Sequence, residues 1–577
     1  MIPRVWAPVA TSAELDLSGA RQPMTGDAGW WTAAVDLPDG TDYAFRLDGG
    51  EPLPDPRAPR QPYGVKGASR TYDHATFAWT DAAWRGISLA GSVIYELHTG
   101  TFTREGTFDA IIGKLGHLRD LGATAIELMP VAAFPGEHGW GYDGIHLWAP
   151  HEPYGGPDGL KRLVDACHGG GIAVILDVVY NHIGLGNRLG DFGPYFTDKH
   201  TTPWGPALNL DQPGSDEVRR FLIENALMWL RDYHLDGLRL DAVHALRDDR
   251  ALHFLEELSV SVRALGAAVN RDLLLIAESD ANDPRLVTSR EAGGFGLDAQ
   301  WSDDFHHAVH CAVTGERQGY YADFASFGAH GALGALAKVY REVFFHNGVW
   351  SSFRGRSHGR PVDVHRVPSS RFLGYLQDHD QVGNRAVGDR ITFSVSADMA
   401  RVATGLVLTS PFTPMLFMGE EWGASTPFQY FTDHVEEWLA KAVSEGRRNE
   451  FARFGWAAAD VPDPQDPATF QRCKLNWSEL SGEPHASLLA WYRSLLELRR
   501  SVPALTDPRL DRVSVAHDEQ ARWITIARGA VLVAANLGSD LVCLPGIPAD
   551  AALLLASRPG LALPALPPET FACLHLP

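Results

Sequence analysis

The chain has 577 residues, 45% hydrophobic and 21% charged, an ordinary composition for a protein with a large barrel and smaller modules. Its net charge of −21 argues against nucleic acid or an anionic membrane surface as partner, because both need a positive surface. Five widely spaced cysteines without a C-x-x-C pair, a start without signal-peptide features, and no apolar run of about 20 residues predict a cytoplasmic protein.

Residues 1–87 are predicted to form an N-terminal β-sandwich. Short strand-like runs at 5–8, 13–17, 30–37 and 43–47 are separated by Gly, Asp and Pro turns, and a proline-rich linker follows at 52–62. Two interpretations of this module remain open. It packs against the next domain only, or it also binds sugar directly, as a carbohydrate-binding module does.

Residues 88–503 alternate between strand and helix patterns, which predicts a closed (β/α)₈ barrel. An open doubly wound sheet would need a glycine-rich phosphate turn after the first strand, and residues 96–100 do not supply one. The expected strands are 93–97, 123–129, 173–179, 237–240, 273–277, 297–301, 372–376 and 413–418. The expected helices include 108–121, 159–168, 217–233, 252–265 and 488–500.

Two further segments complete the predicted organisation. The long, Gly- and Pro-rich loop at 183–213 follows the third strand and is expected to form a wall of the active site, with Trp204 as a candidate for stacking on sugar. Residues 504–577 are predicted to form a C-terminal all-β domain, with strands at 513–517, 523–528 and 531–536.

Four predicted strands end in acidic or histidine residues, at 177–182, 237–241, 276–279 and 377–380. The carboxyl ends of parallel barrel strands converge on one face, where such barrels hold their active sites. A single acid at a strand end could simply cap the strand or pair with an arginine. Four such ends together predict one pocket rimmed by acids from different strands.

Asp241 and Glu278, at neighbouring strand ends, could flank a single glycosidic bond. Arg239 lies two residues before Asp241, on the same face of the strand, where its charge would keep Asp241 ionised as a nucleophile. Glu278 follows an apolar run, so burial is expected to raise its pKa towards that of a general acid. Asp380 would face both residues from across the barrel.

The four strand ends resemble, in order, the four motif regions of the α-amylase clan, glycoside hydrolase family 13. The resemblance implies a retaining mechanism with Asp241 as nucleophile, Glu278 as proton donor and Asp380 as transition-state stabiliser. The substrate-binding residues it implies are Arg239, His182, His379 and the aromatic platform Tyr142.

Within this clan the chain is most similar to the maltooligosyltrehalose trehalohydrolase subfamily, on the segments 301–307, 377–385, 427–434 and 447–451. This implies hydrolysis of the α-1,4 bond next to the terminal trehalose of maltooligosyl trehalose, and a functional partnership with the synthase that makes it. His244, by family analogy, and the nearby polar Gln381 and Asn384 are candidates for binding the trehalose side. Asp378 replaces the subfamily's more usual Asn and is expected to add a charge beside Asp380.

No cofactor and no required metal are predicted. Asp177 and Asn181 match positions that help to hold calcium in some α-amylases, but the following loop lacks the dense acidic set that calcium needs. We therefore expect both residues to be structural support, with Asp177 near Arg239. The acids and histidines at 303–310 lack zinc spacing and are more typical of a helix start.

Three rival functions remain on the same sequence. A branching enzyme would transfer the glucosyl unit to a sugar hydroxyl, a general α-amylase would accept unmodified maltooligosaccharides, and a non-catalytic protein would only bind glucan. The sequence at 381–384 argues against the branching enzyme, and the presence of all three acids argues against the pure binder.

Overall fold

The computed structural model describes residues 1–452, 461–548 and 550–577. The first segment of the chain forms two small antiparallel sheets, one of three strands and one of four. Their strands are Arg4–Trp6, Ala13–Leu17, Ala20–Pro23, Thr25–Asp27, Trp30–Thr32, Asp42–Leu47 and Ser69–Arg70. The strand expected at 30–37 therefore ends early, and residues 33–41 run as turns.

A closed barrel of eight parallel strands forms the centre of the molecule, so the fold class was predicted correctly. Counted in chain order, its strands are Ile94–Leu97, Ala125–Leu128, Ala173–Val178, Gly237–Leu240, Leu274–Ala277, Ala299–Trp301, Phe372–Tyr375 and Thr413–Phe417. All eight lie within one or two residues of the predicted positions, because buried apolar runs mark parallel strands directly.

Helices surround the barrel. The long ones are Gly156–Gly169, Ser215–Asp232, Phe254–Val269, Asp303–Thr314, Gly331–Glu342, Ala397–Leu408, Glu437–Ala452 and His485–Ser501. The short ones are Thr99–Phe102, Phe108–Ile112, Leu115–Leu121, Leu189–Phe192, Ala322–Ala325, His379–Gly383 and Pro467–Arg472. The helix expected over 108–121 is two helices, since Gly113 closes the first one.

Three hairpins extend from the barrel, two in the loops after the second and third strands and one after the helix Gly331–Glu342. They pair Ala132–Ala133 with His146–Pro150, Phe196–Thr202 with Gly205–Leu208, and Trp350–Ser351 with Arg356–Ser357. The second hairpin lies inside the long loop predicted as a wall, and its turn carries Trp204. These hairpins rise from the same end of the barrel as the acidic strand ends.

The C-terminal strands form a five-stranded antiparallel sheet and a two-stranded one. They are Val513–Asp518, Trp523–Arg528, Val531–Asn536, Val542–Cys543, Ala552–Ala556, Ala565–Leu566 and Thr570–His575. The buried Phe571 from this sheet packs on Trp491 of the last long helix, with ring centroids 5.8 Å apart. Among the described residues, no helix is both long enough and apolar enough to span a membrane.

Candidate active site

The parallel register brings Asp241 and Glu278 to neighbouring positions at the barrel mouth. Leu240 pairs with Ala277 in the fourth and fifth strands, so the two acids are the next residues on each. The backbone N–H of Ala242 donates a hydrogen bond of 2.6 Å to Glu278 Oε2. Ala242 reaches it with a positive φ of 41°, so the chain turns sharply directly after Asp241.

Both carboxylate oxygens of Asp241 accept hydrogen bonds. Arg239 Nη1 donates to Oδ1 at 2.7 Å and Asn181 Nδ2 donates to Oδ2 at 2.6 Å. The same Asn181 amide also donates to the backbone carbonyl of Asp241, at 2.9 Å. These donors stabilise a carboxylate charge and fix its orientation, as an attacking nucleophile requires.

Glu278 has the environment of a general acid. Its side chain is only 16% exposed. Burial raises its pKa most; Arg239 opposes the rise, but the charges of Asp241 and Asp303 add to it, and the pKa is about 8. The carboxyl group is therefore protonated at neutral pH, one strand away from the hydrogen-bonded Asp241.

The Arg239 side chain lies between the carboxyl groups of Asp177, Asp241 and Glu278. The guanidinium is fully buried, and Nη1 also contacts both oxygens of Asp177, at 2.9 and 3.0 Å. Its Nη2 lies 3.6 Å from Glu278 Oε2. Burial raises the pKa of Asp177 to about 7 despite the nearby Arg239. Asp177 thus lies beside Arg239, as the sequence predicts.

His379 is held as an imidazolium by its two partners. Its Nδ1 faces the carboxylate of Glu96, which also accepts the backbone N–H of His379 at 3.0 Å. Its Nε2 faces the hydroxyl of Tyr142 at 2.7 Å, and that hydroxyl donates to Asp177 Oδ2 at 2.6 Å. Burial lowers the pKa of His379, but the charges of Glu96 and Asp380 outweigh this and raise it to about 10.

Tyr142 is positioned by a glycine turn. Gly141 has a φ of 100°, and a Cβ there would lie 2.1 Å from the carbonyl oxygen of Pro130, so no other residue fits without moving the loop. The Tyr142 ring stacks on His379 with centroids 5.2 Å apart. The carbonyl of Tyr142 in turn contacts His182 Nε2 at 3.0 Å.

His182 and Trp204 form a second pair of stacked rings, beside the pair formed by Tyr142 and His379. Their ring centroids are 5.1 Å apart and the ring planes are nearly parallel. Trp204 remains 44% exposed at the turn of its hairpin, while His182 is buried. The exposed indole offers an apolar face, which suits stacking on a sugar ring, and the buried imidazole supports it from behind.

Asp380 lies opposite these groups on a short helix. It is 46% exposed on its side chain, and Asn384 Nδ2 donates to its Oδ1 at 3.1 Å. Arg447 reaches Asn384 Oδ1 at 3.1 Å from the long helix 437–452. Gln381 follows Asp380, and its buried Oε1 has no hydrogen-bond partner among the described residues.

Asp378 lies directly before His379 and Asp380, at the start of their short helix. The carboxyl group is buried and accepts the backbone N–H of Gln381 at 2.7 Å, capping the short helix. Burial first, and then the charge of Glu96, raise its pKa well above the usual range. These surroundings disfavour the added charge that the sequence predicts at this position.

His244 lies three residues beyond Asp241, next to a polar cluster formed by Asp280, Arg354 and His358. Its Nε2 is 4.0 Å from Asp280 Oδ1, and Asp280 also pairs with Arg354 at 3.0 Å. His358 Nε2 contacts the carbonyl of Asp280 at 2.6 Å. His244 is a third exposed, so its ring can reach a ligand beyond Glu278.

Sequence reasoning missed Glu96, Asp303 and the Asp280–Arg354 pair. Glu96 has a local signal, since it is the one acid in the apolar run 94–97 that forms the first strand. Asp303 was considered only as a helix start, yet its charge raises the pKa of Glu278. The Asp280–Arg354 pair joins loops 74 residues apart and has no local signal.

A cation site is not apparent at these strand ends. Within the described residues, one group of three side chains, His200, Asp211 and Asp249, lies close enough to share an ion. Lys199 Nζ already lies 2.9 Å from Asp211 and 2.8 Å from Asp249, so a cationic side chain already pairs with both acids.

Replacing Glu96 with Gln is expected to lower kcat/KM at least about tenfold at neutral pH, because His379 loses the charge that keeps it protonated. The loss should be smaller at pH 5, where His379 regains its proton, than at pH 8. The activity measured across this pH range tests it. Glu497→Gln, at an exposed position, is the matched control. An equal loss at every pH would mean that Glu96 acts through packing alone.

Comparison with known proteins agrees with this geometry. The model of the α-amylase catalytic domain matches residues 75–189, and a domain of unknown function, DUF3459, matches residues 508–573. A solved structure described as a putative α-amylase from Salmonella typhimurium superposes with a TM-score of 0.91 and 40% identity, covering 100% of this chain and 97% of its own. A pullulanase from Anoxybacillus has a TM-score of 0.73 at 19% identity, which shows the fold alone.

Curated relatives extend over almost the whole chain. The malto-oligosyltrehalose trehalohydrolase of Arthrobacter ramosus is 55% identical and covers 96% of this chain and 95% of its own. Those of Mycobacterium tuberculosis and Saccharolobus solfataricus are 52% and 43% identical, covering 94% and 86% of this chain and 93% and 84% of their own. A glucan branching enzyme of Vibrio parahaemolyticus is 37% identical over only 42% of this chain. The chain therefore belongs to the malto-oligosyltrehalose trehalohydrolase family, within the α-amylase-type glycoside hydrolases.

Proposed function

We propose that the chain hydrolyses the α-1,4 bond next to the terminal trehalose of maltooligosyl trehalose, with Asp241 as nucleophile and Glu278 as acid/base. The observation that carries this proposal is the contrast between the two acids at one barrel mouth. Asp241 accepts hydrogen bonds on both oxygens, whereas the pKa of Glu278 is about 8. One group is ready to attack and the other to give a proton, as retaining glycosidases require.

The reaction has two steps. In the first, an Asp241 oxygen attacks the anomeric carbon while Glu278 protonates the glycosidic oxygen, so trehalose leaves and a glycosyl ester forms on Asp241. In the second, the Glu278 carboxylate takes a proton from water, whose oxygen attacks the same carbon. The ester breaks, Asp241 is regenerated and the shortened maltooligosaccharide leaves with retained configuration.

The surrounding groups hold the sugar at the cleavage point. The carboxylate of Asp380, 3.6 Å from His379 Nε2, would accept hydrogen bonds from the hydroxyls of this glucosyl unit. Both nitrogens of His379 and of His182 already contact protein groups, so these histidines would bind the sugar indirectly, by fixing the walls of the site. Tyr142 supplies a ring face. The carboxylate of Asp380 also stabilises the positive charge that develops on the sugar ring in the transition state.

The trehalose would lie on the side of His244. This ring and the Asp280–Arg354 pair border the mouth beyond Glu278 and offer donors and acceptors to a non-reducing disaccharide. Gln381 and Asn384 remain candidates through their place beside Asp380. A site built from paired polar groups rejects ligands that leave them unpaired, so it can favour trehalose over a reducing maltose end.

Two substrates test the proposed function. The purified protein is incubated with maltohexaose and, separately, with its trehalose-terminated counterpart, and the products are chromatographed. We expect free trehalose from the second and at least about tenfold slower cleavage of the first, the discrimination that unpaired polar groups produce. Equal hydrolysis of both would indicate a general α-amylase, and longer branched products would indicate a transferase.

The cellular setting follows as part of the proposal. All five cysteines are free, four of them buried, which suits the reducing cytoplasm. A substrate with trehalose at its reducing end must come from an enzyme that rearranges the terminal glucosyl bond of a maltooligosaccharide. We therefore infer a functional partnership with maltooligosyltrehalose synthase, through this shared intermediate.

A further inference from the structure

A cavity lies in the seam between the N-terminal linker and the barrel loops, away from the three acids. Its volume is about 670 Å³, within the range of small-molecule sites. Residues 61–66, at and just after the end of the linker, form one wall. Residues 133–137 and 151–153 form the other, and Val435 and Glu436 close one end. None of the residues that line this cavity belongs to the four acidic strand ends.

The loops that line this cavity lead back along the chain to active-site residues. A smaller cavity of about 150 Å³ shares Val65, Lys66 and Ile145 with it and is bounded on the other side by residues 186–189, in the loop that leaves His182. At the end of the cavity closed by Val435 and Glu436, His434 directly precedes these two residues in the chain. His434 lies 3.7 Å from Asp143, directly after Tyr142 in the chain. Both edges of the seam therefore begin beside the residues proposed to hold the glucosyl unit at the cleavage point.

Tyr63 gives the seam a rigid aromatic face. The residue is 59% exposed, yet its hydroxyl donates to Asp42 at 2.9 Å and accepts from Arg70 at 2.8 Å. An exposed ring fixed at its polar end loses little entropy when a ligand stacks on it. Val435, 72% exposed, adds apolar surface at the end nearer the active site.

The charges of the seam suit a neutral ligand. Glu436 is paired with Lys66 at 2.5 Å, and Glu152 accepts from Arg60 Nε at 3.1 Å. Each pair joins the N-terminal segment to a barrel loop, so polar contacts fix the two walls relative to each other. A neutral sugar chain can contact such pairs through its hydroxyls without leaving a buried charge unpaired.

We propose that this seam binds the non-reducing end of longer maltooligosyl trehaloses, several glucosyl units beyond the cleavage point. The inference rests on the proposed function, because His244 and Asp280 take the trehalose side and leave the chain to run past Tyr142 and His182 into the seam. The linker that precedes the barrel is thereby part of substrate binding.

Chain-length dependence tests the proposal. The series from maltosyl to maltohexaosyl trehalose is assayed for kcat/KM with the wild-type protein, Tyr63→Ala and Phe393→Ala, a matched control that is also 59% exposed. We expect Tyr63→Ala to lose about three- to tenfold on the longest substrate, through KM, and nothing on the shortest. Phe393→Ala should match the wild type throughout.

A second variant guards against a folding defect. Val435→Asp, at a highly exposed position, places an unpaired charge in the seam and should give the same loss confined to long substrates. Unchanged chain-length profiles in both variants, or equal losses on every substrate, would overturn the seam proposal. Failure of the wild type to release trehalose even from the shortest substrate would instead overturn the proposed function.

Discussion

Replacement of Asp241 by Asn is expected to lower kcat about 10⁴-fold or more, the size of loss that follows removal of a covalent nucleophile. The amide keeps the shape of the side chain and can still contact Asn181, but it cannot form the glycosyl ester. Trehalose release from maltooligosyl trehalose measures the loss. Circular dichroism and the thermal midpoint check that the variant is folded.

A matched control separates chemistry from general damage to the chain. Asp120→Asn changes an acid that is 63% exposed and whose neighbouring cation, Arg119, is 3.8 Å away, so activity should be unchanged. A fluorinated maltosyl fluoride that traps the intermediate should label the wild-type peptide containing Asp241. Retention of a tenth of the activity by Asp241→Asn, or label on another residue, would contradict the assignment.

Replacement of Glu278 by Gln should lower kcat about 10²- to 10⁴-fold on maltooligosyl trehalose, because trehalose then leaves without a proton. With maltosyl fluoride, whose leaving group needs no proton, the first step should proceed at nearly its normal rate. Azide, which needs no general base, should then restore turnover and give a glycosyl azide of retained configuration. Absence of both rescues would exclude Glu278 as the acid/base.

The same group predicts the pH profile. The wild-type rate should fall as pH rises through about 8, since the folded-state pKa of Glu278 lies there and only the protonated form can act as an acid. The first step of Glu278→Gln on maltosyl fluoride should lose this alkaline fall. Glu479→Gln changes a partly buried acid elsewhere, contacting Ser425 and Trp422, and should keep the wild-type profile. An alkaline limb that persists in Glu278→Gln would assign it to another group.

Much of the architecture could be predicted from the sequence because its signals are local. Each barrel strand is a short buried apolar run, and the third, fourth, fifth and seventh end next to a polar motif residue. Arg239 and Asp241 lie two residues apart, so their shared face follows from strand geometry. Local sequence patterns predicted the ends of elements less reliably where no change in burial marks those ends. The strand expected at 30–37 stops at Thr32, and the helix expected at 108–121 is broken at Gly113.

The environment of each group could not be predicted in this way. Glu96 and His379 are 283 residues apart, and only closure of the barrel brings the carboxylate to the imidazole. Arg447 reaches Asn384 across 63 residues. Asp378 looked like an added charge in the sequence, whereas its burial raises its pKa and disfavours the charged form. A pKa depends on which charges lie within a few ångströms and on how much water is excluded.

The sequence by itself determined the eight-stranded barrel and the meeting of Asp241, Glu278 and Asp380 at one mouth, because periodicity and burial are properties of short segments. Only the tertiary structure decided which acid holds a proton, which histidine is charged, and that Tyr63 lines a cavity between the N-terminal segment and the barrel loops. These depend on distances between remote residues and on the exclusion of solvent, which no short stretch of chain contains.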